Sequence, residues 1–583
     1  MQPGFSWVLN VFSRNESIFT KLMYALHMQS SLIKNYLGFF TLITSVCVTL
    51  FVSPFNSVDP VNLPKLSLLI ILSFALAGFV LSDFEFFKVK KSRPVTLIIA
   101  IFIAQLVLCL AFDNRDFTFK LYGTFGRNTG FIAYLALTLL FIASVTSASK
   151  ILLKRYVAAI VVTGALLAFY GVLQSKGIDF YQFESGYSTN VFGTFGNPNF
   201  QSAFMGITSA TTTSLVFFSK MKRLYKAGLV FLILLFVFNI SASSQQGYLN
   251  YAAGIATATV IFLFKSRKLF FGWAVLASSI VGGFLILLAL FNSGPLAQII
   301  YKGSLQARGF YWRAATTMIF EHPFFGVGMD GFGDFYLRSR TSEIASVNSG
   351  IAADTAHSVP LDLGSNGGFL LLFSYLALIS LVIVSISRVL KRDSVFDVYF
   401  TAIVAAWVAY QAQSLISINQ LGLGVWGWST SGLIIGYELC TRAESPVVNH
   451  QPTSSKKVTK EKVSSIALAL TLLSTSVGIA IALPPYVAAN KFYGALQTGD
   501  PKIIQHAAYL KPNERMRYLY VARALQENKF ESESISVLRD ASRIYPDSIE
   551  LWRIWASIPS ATPADVARAN AEIKRLDPFN PKT

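Results

Sequence analysis

Windows of about twenty apolar residues recur along this chain, and that recurrence constrains the fold more than any other feature. A bilayer's hydrocarbon core is about 30 Å thick, and a helix rising 1.5 Å per residue crosses it in about twenty residues. The windows predict spans at 37–54, 66–82, 94–112, 130–148, 155–174, 198–219, 227–241, 247–264, 270–291, 366–387, 395–415, 421–440 and 464–485. Composition agrees: 53% of the 583 residues are hydrophobic and 14% are charged, against about 25% charged in a soluble domain. Mean hydropathy is +0.52. The expected fold class is all-α: a polytopic membrane protein of about 13 transmembrane helices with a large extracytoplasmic loop, plus a C-terminal soluble helical domain.

The net charge of +19 is not a nucleic-acid signature, because the bases gather at the ends of the apolar windows. Alternate loops carry them: Lys88 to Arg93, Lys150 to Arg155, Lys220 to Lys226, Lys265 to Lys268, Arg388 to Arg392 and Lys456 to Lys462. Intervening loops are poor in bases. The positive-inside rule therefore sets these six loops in the cytoplasm. The N-terminus is cytoplasmic and the C-terminus outside a cytoplasmic (inner) membrane. Residues 1–36 read as a cytoplasmic or interfacial segment, 37–292 as the first nine spans and 293–365 as an extracytoplasmic loop. Residues 366–440 read as three more spans, 441–463 as a cytoplasmic linker and 464–485 as the last span. Cys47, Cys109 and Cys440 all fall in apolar stretches, so no disulfide framework or metal pattern follows. The first apolar block has no small-residue cleavage site behind it and does not read as a cleavable signal.

Residues 486–583 are charged and helical in pattern. Pro512, Pro546 and Pro578 recur there in KPNE, YPDS and DPFN contexts. A spacing near 34 with a closing proline resembles tetratricopeptide repeats, with a helix over Ala488–Leu510 as their cap. Such repeats bind peptides or proteins, so this domain is a candidate surface for a protein partner.

The 293–365 segment is long, aromatic-rich and polar. Long loops inside compact proteins are uncommon and tend to be functional. It holds Arg308 and Trp312, then HPFFGVGMDGF (His322 to Phe332), then Ala356-His357-Ser358 and a glycine-rich entry to the next span, Gly364 to Gly368. Outer loops elsewhere read GTFGRNTG (Gly123 to Gly130), GTFGNPN (Gly193 to Asn199) and SSQQG (Ser243 to Gly247).

The Arg308–Gly368 stretch, with GTFGNPN and the GVLQ at Gly171 to Gln174, resembles the O-antigen ligase and O-antigen polymerase superfamily. The resemblance covers roughly residues 120–440. It implies a membrane enzyme that moves a glycan from a polyprenyl-diphosphate lipid to a glycan, lipid or protein acceptor, with inversion, no cofactor and no metal. His357 and Arg308 are the implied catalytic residues. A neutral imidazole takes a proton from a sugar hydroxyl, and guanidinium groups offset the diphosphate charge bidentately. Arg127, Asn197, Asn199, Gln246, Trp312, Asp354 and Arg313 are the candidate substrate-binding residues. Arg308, Trp312, Ala315 and Ile319 share one helical face, and Arg313 lies on another. Asp354 either orients the His357 ring or caps a helix. Arg338 and Arg340 read as solvated.

The chain departs from the family at Gln246, where many members place an arginine in the tight turn. Either Arg127 or Lys302 substitutes, or the donor is held differently. Ligases and polymerases of the superfamily differ in acceptor, and the repeat domain points to a ligase. A transporter or flippase for the same lipid-linked glycans is the alternative from another class. It calls for charged sites near the bilayer midplane, and here the polar candidates gather in outer loops. A non-catalytic scaffold, a third reading, requires His357 and Arg308 to be dispensable.

Overall fold

The computed structural model describes residues 34–55, 57–82, 90–180, 191–300, 304–347, 352–442 and 465–580. The segments read as an interfacial N-terminus and a cytoplasmic linker lie outside these, apart from a few of their end residues.

Each apolar window is a helix. They are α1 (Lys34–Leu50), α2 (Asn62–Ser82), α3 (Arg93–Phe112), α4 (Phe131–Ser147), α5 (Lys150–Ser175), α6 (Pro198–Phe218), α7 (Arg223–Ser243), α8 (Gln246–Lys265) and α9 (Leu269–Leu290). After an intervening segment come α12 (Val359–Arg392), α13 (Val398–Ile416), α14 (Leu421–Thr441) and α15 (Ser465–Gln497). Eight of these are long and apolar enough to cross a membrane, and α1 and α4 are shorter apolar helices. The remaining three, α6, α13 and α14, are the central ones. α6 is buried from Ala203 to Leu215 although Thr208, Ser209, Thr211, Thr212 and Thr213 lie on it. Hydroxyls there return to the helix's own carbonyls, as Thr212 Oγ1 does to Thr208 O at 2.7 Å. A helix enclosed by other helices has no need of an apolar outer face, so it can carry these hydroxyls while belonging to the bundle.

Local sequence sets the helix starts. Asp59 accepts from the backbone N–H of Val61, Asn62 and Leu63 at the head of α2. Asn197 caps α6, with Pro198 in the first turn, and Gln420 caps α14. Small residues bring the helices close. A Cβ on Gly78 would stand 2.4 Å from Thr471 Cα, which lets α2 lie along α15. The expected boundary after the last span is absent: α15 continues to Gln497, past Pro484 and Pro485, in place of a separate Ala488–Leu510 helix.

The loops divide between two ends of the bundle. At one end Lys91 Nζ reaches Leu439 O, Arg392 reaches Thr441, and Lys154 lies over Tyr399. At the other, the 113–130 loop, the 304–358 segment, the α13–α14 turn and the C-terminal helices meet.

The segment before α12 is not an open loop. It folds into α10 (Ser304–Glu321) and α11 (Phe332–Ser339), with short helices at Ala297–Ile300 and Ser342–Val347. Beyond α15, α16 (Pro501–Ala507) leads into two helical hairpins, α17 (Arg515–Glu527) with α18 (Glu531–Ile544) and α19 (Ile549–Ala556) with α20 (Pro563–Leu576). They share one apolar core with the segment before α12. Ala314, Met318, Phe332 and Tyr336 cluster with Phe492, Tyr518, Trp552 and Trp555. The arginines expected to be solvated form part of this junction. Arg340 is fully buried against Asp577 at 2.7 Å, and Arg338 pairs with Asp547 while stacking on Phe335. Burying an arginine demands a counter-charge, and the C-terminal helices supply it.

Candidate functional site

His357 lies in the turn between Asp354 and α12, with a left-handed backbone at φ 52°. Non-glycine residues rarely adopt this conformation, and surrounding contacts must hold it. Asp362, one turn into α12, accepts from the backbone N–H of Ala356 at 2.6 Å. The ring is held by Thr355, whose hydroxyl and carbonyl lie 3.0 and 3.3 Å from Nδ1. One face packs against Tyr311, with ring centroids 5.2 Å apart.

Asp354 neither orients this ring through a hydrogen bond nor caps α12, whose N-cap position is Ser358. It pairs with Arg127, at 2.7 Å from Nε and 3.2 Å from Nη2. Desolvation raises its carboxyl pKa, but the Arg127 charge and hydrogen bonds outweigh that and hold it below the ordinary value. The geometric reason is reach: Arg127 comes from another loop and occupies both carboxylate oxygens, leaving the nearer Thr355 for the imidazole.

Arg308 stands one turn inside α10 and is 7% exposed. It forms no ion pair among the described residues. Its Nη2 donates to Gln246 Oε1 at 3.3 Å, and Gln246 in turn donates to Gln413 on α13. The residue that departs from the family pattern therefore accepts from the neighbouring arginine. A second arginine there would repel Arg308. Burial lowers the Arg308 pKa, with Tyr311 opposing.

These groups act together on His357. Burial first, with Asp354 opposing and the Arg127 and Arg308 charges assisting, brings its pKa down to about 4. The imidazole is neutral at pH 7, as a proton acceptor must be.

A polar pocket opens beside this group. Arg127, Asp330, Thr355, Asp362, Asn419 and Gln420 line it. The Nδ2 of Asn419 and the Nε2 of Gln420 are buried donors with no acceptor among the described residues. Asp330 holds the pocket's rim by accepting from Thr124 N at 2.7 Å and Thr129 Oγ1 at 3.0 Å. That clasp requires glycine at 123, since a Cβ there would lie 2.3 Å from Asp330 Oδ2. Burial raises the Asp330 pKa, and its bonds to Thr124 and Thr129 oppose this.

The structure thus brings together His357, Arg308, Arg127, Asp354 and Gln246 from four separate stretches. The other candidates stand apart from this group. Trp312 is buried against Phe291 at the end of α9. Arg313 is on the exposed face of α10. Asn197 caps α6 by accepting from Asn199 N at 2.9 Å, and neither asparagine lines the polar pocket. Lys302 lies outside the described residues. Sequence reasoning missed Tyr311, Thr355, Asp330 and Asp362. Asp330 and Asp362 sit inside stretches already singled out, but nothing local distinguishes a clasping carboxylate from a solvated one. Among the described residues no three His, Cys, Asp or Glu side chains gather as metal ligands.

No curated protein sequence matches the chain. Residues 227–376, about a quarter of its length, match the family model described as O-antigen ligase. That segment runs from α7 into α12 and contains Gln246, Arg308, Asp354 and His357, so over this stretch, which holds the candidate site, the chain is similar to the O-antigen ligase family.

Proposed function

We propose that this protein is an O-antigen ligase-like glycan transferase acting at the outer face of a cytoplasmic membrane, with all thirteen long apolar or enclosed helices crossing it. The donor is a glycan on a polyprenyl diphosphate. The observation that carries this reading is a buried guanidinium, Arg308, without a carboxylate partner among the described residues, close enough to a neutral His357 to bias its protonation. A buried cation without a counter-charge is costly by itself and suits a site that an anion completes.

In this reading Thr355 O accepts the Nδ1–H of His357, leaving the Nε2 lone pair for the acceptor hydroxyl. The hydroxyl oxygen attacks the anomeric carbon as His357 takes its proton. The bond from that carbon to the diphosphate oxygen breaks with inversion, and the electron pair leaves with the diphosphate. The Arg308 and Arg127 guanidiniums offset the charge that develops, a role preorganised donors fill without reorganisation. Asn419 and Gln420 present their free amides to the sugar in the polar pocket. The basic loops that meet at the opposite end of the bundle support the orientation.

Ligation and polymerisation share this chemistry and differ in acceptor. A strain lacking the gene, complemented with wild type or His357→Ala at matched expression, separates them. Ligation predicts that the variant accumulates full-length lipid-linked glycan and loses the surface form. Accumulation of single repeat units would assign a polymerase. An unchanged glycan profile would remove His357 from the mechanism.

A further inference from the structure

A second cavity lies between the 113–130 loop, the outer ends of α2 and α15, and the helical hairpins. Its walls are mostly apolar, with the half-buried rings of Tyr122 and Phe125 among them. Three buried polar atoms in its lining have no hydrogen-bond partner among the described residues: Asn128 Oδ1, Arg517 Nη1 and the Tyr545 hydroxyl. The three residues are 4%, 4% and 6% exposed, and they come from the 113–130 loop, α17 and the end of α18. Buried polar groups in folded proteins are nearly always paired, so three orphans around one cavity mark a place for a ligand's hydrogen-bonding groups.

The chemistry of the lining narrows the ligand. Arg517 is offset by Glu514, and Arg515 pairs with Asp334, so the cavity has no surplus positive charge to attract an anion. Apolar walls and rings set among separate donors and acceptors match a molecule with C–H faces and hydroxyl edges. The position narrows it further. Arg127 and Thr129 line the polar pocket beside His357, while Asn128 lines this cavity. The same loop therefore contributes residues to both.

We propose that this cavity binds sugar units of the transferred glycan, remote from the reacting bond. The inference rests on the reading of the neighbouring site as a glycan transferase. It gives the C-terminal hairpins a role in holding the glycan chain.

The full-length protein in detergent is titrated with the oligosaccharide released by mild acid from the lipid-linked donor, which carries neither lipid nor diphosphate. Wild type should bind it. Tyr545→Phe, which removes one oxygen and keeps the ring, should weaken binding by about tenfold, the worth of one hydrogen bond. Ala489→Trp, which fills the cavity from α15, should abolish it, and His357→Ala should bind as wild type does. In transfer, Tyr545→Phe should raise KM for the full-length donor and leave a single-sugar donor unaffected. Wild-type affinity in either cavity variant, or no binding by wild type, overturns the proposal. So does protection of a photoreactive polyprenyl probe, and not the oligosaccharide, from Ala489→Trp. Binding that is lost in Tyr545→Phe while His357→Ala still transfers would keep this cavity and retire the catalytic role of His357.

Discussion

His357 is a histidine whose charge is decided by its neighbours. Burial disfavours the imidazolium, and Arg127 and Arg308 disfavour it further, against the opposing pull of Asp354. The expected outcome is a kcat/KM profile that stays flat from neutral pH to below pH 6, with its acidic limb set by a group titrating near 4. A limb at 6.5 or above would mean an exposed imidazole. The sign for stability follows from linkage. Between about 6.5 and about 4 the unfolded chain holds a proton on this residue that the folded protein does not. The contribution is therefore complete above 6.5 and is lost as pH falls through that window. Wild type should lose more thermal stability than His357→Gln between pH 7 and pH 5, which melting curves of the detergent-solubilised protein would show.

At the scale of elements, α12 is two pieces joined at Gly368, where φ is 72° and ψ is −174°. The first piece carries Asp362 and Asn366 toward the site, and the second enters the bundle. The join is tight: Phe369 N donates to Pro323 O at 2.8 Å, and a Cβ on Gly368 would stand 2.4 Å from that same oxygen. Gly126 has a similar φ of 79° but open space around it. Gly126→Ala should cost roughly 1–2 kcal/mol, the penalty of a left-handed alanine. Gly368→Ala should cost more and impair transfer, because the Pro323–Phe324 backbone must move. Equal melting temperatures for the two variants would show that the join yields freely.

The whole molecule is closed by its C-terminal helices. Arg340 and Asp577 form an ion pair with no solvent exposure on either side, and Arg553 also contacts Asp577. Removing one member of such a pair strands the other and costs about 3–5 kcal/mol. Asp577→Ala should release the hairpins from α11, and limited proteolysis should then cut ahead of residue 515 sooner than in wild type. The double variant Arg340→Met, Asp577→Leu should recover most of the loss, since no buried charge remains. Cutting at the wild-type rate in Asp577→Ala would mean that the shared apolar core holds the hairpins unaided.

Much of this was legible in the order of residues. Apolar windows located the helices of the bundle, because lipid and helix length impose one period. The Arg308, Gln246 and His357 stretches were visible as polar islands with unusual glycine and aromatic content. The sequence by itself determined the helices, the sorting of bases between loops, and the family signal. Only the tertiary structure decided that Arg308 meets Gln246, that Asp354 serves Arg127 while Thr355 serves His357, and that Arg340 is buried. Each of those depends on groups far apart in the chain, at sequence separations of 62, 227 and 237 residues for the Arg308–Gln246, Arg127–Asp354 and Arg340–Asp577 contacts. Local composition carries no record of such pairings. The C-terminal helices follow the same rule: their apolar faces are legible in the sequence, but the surface they cover is not.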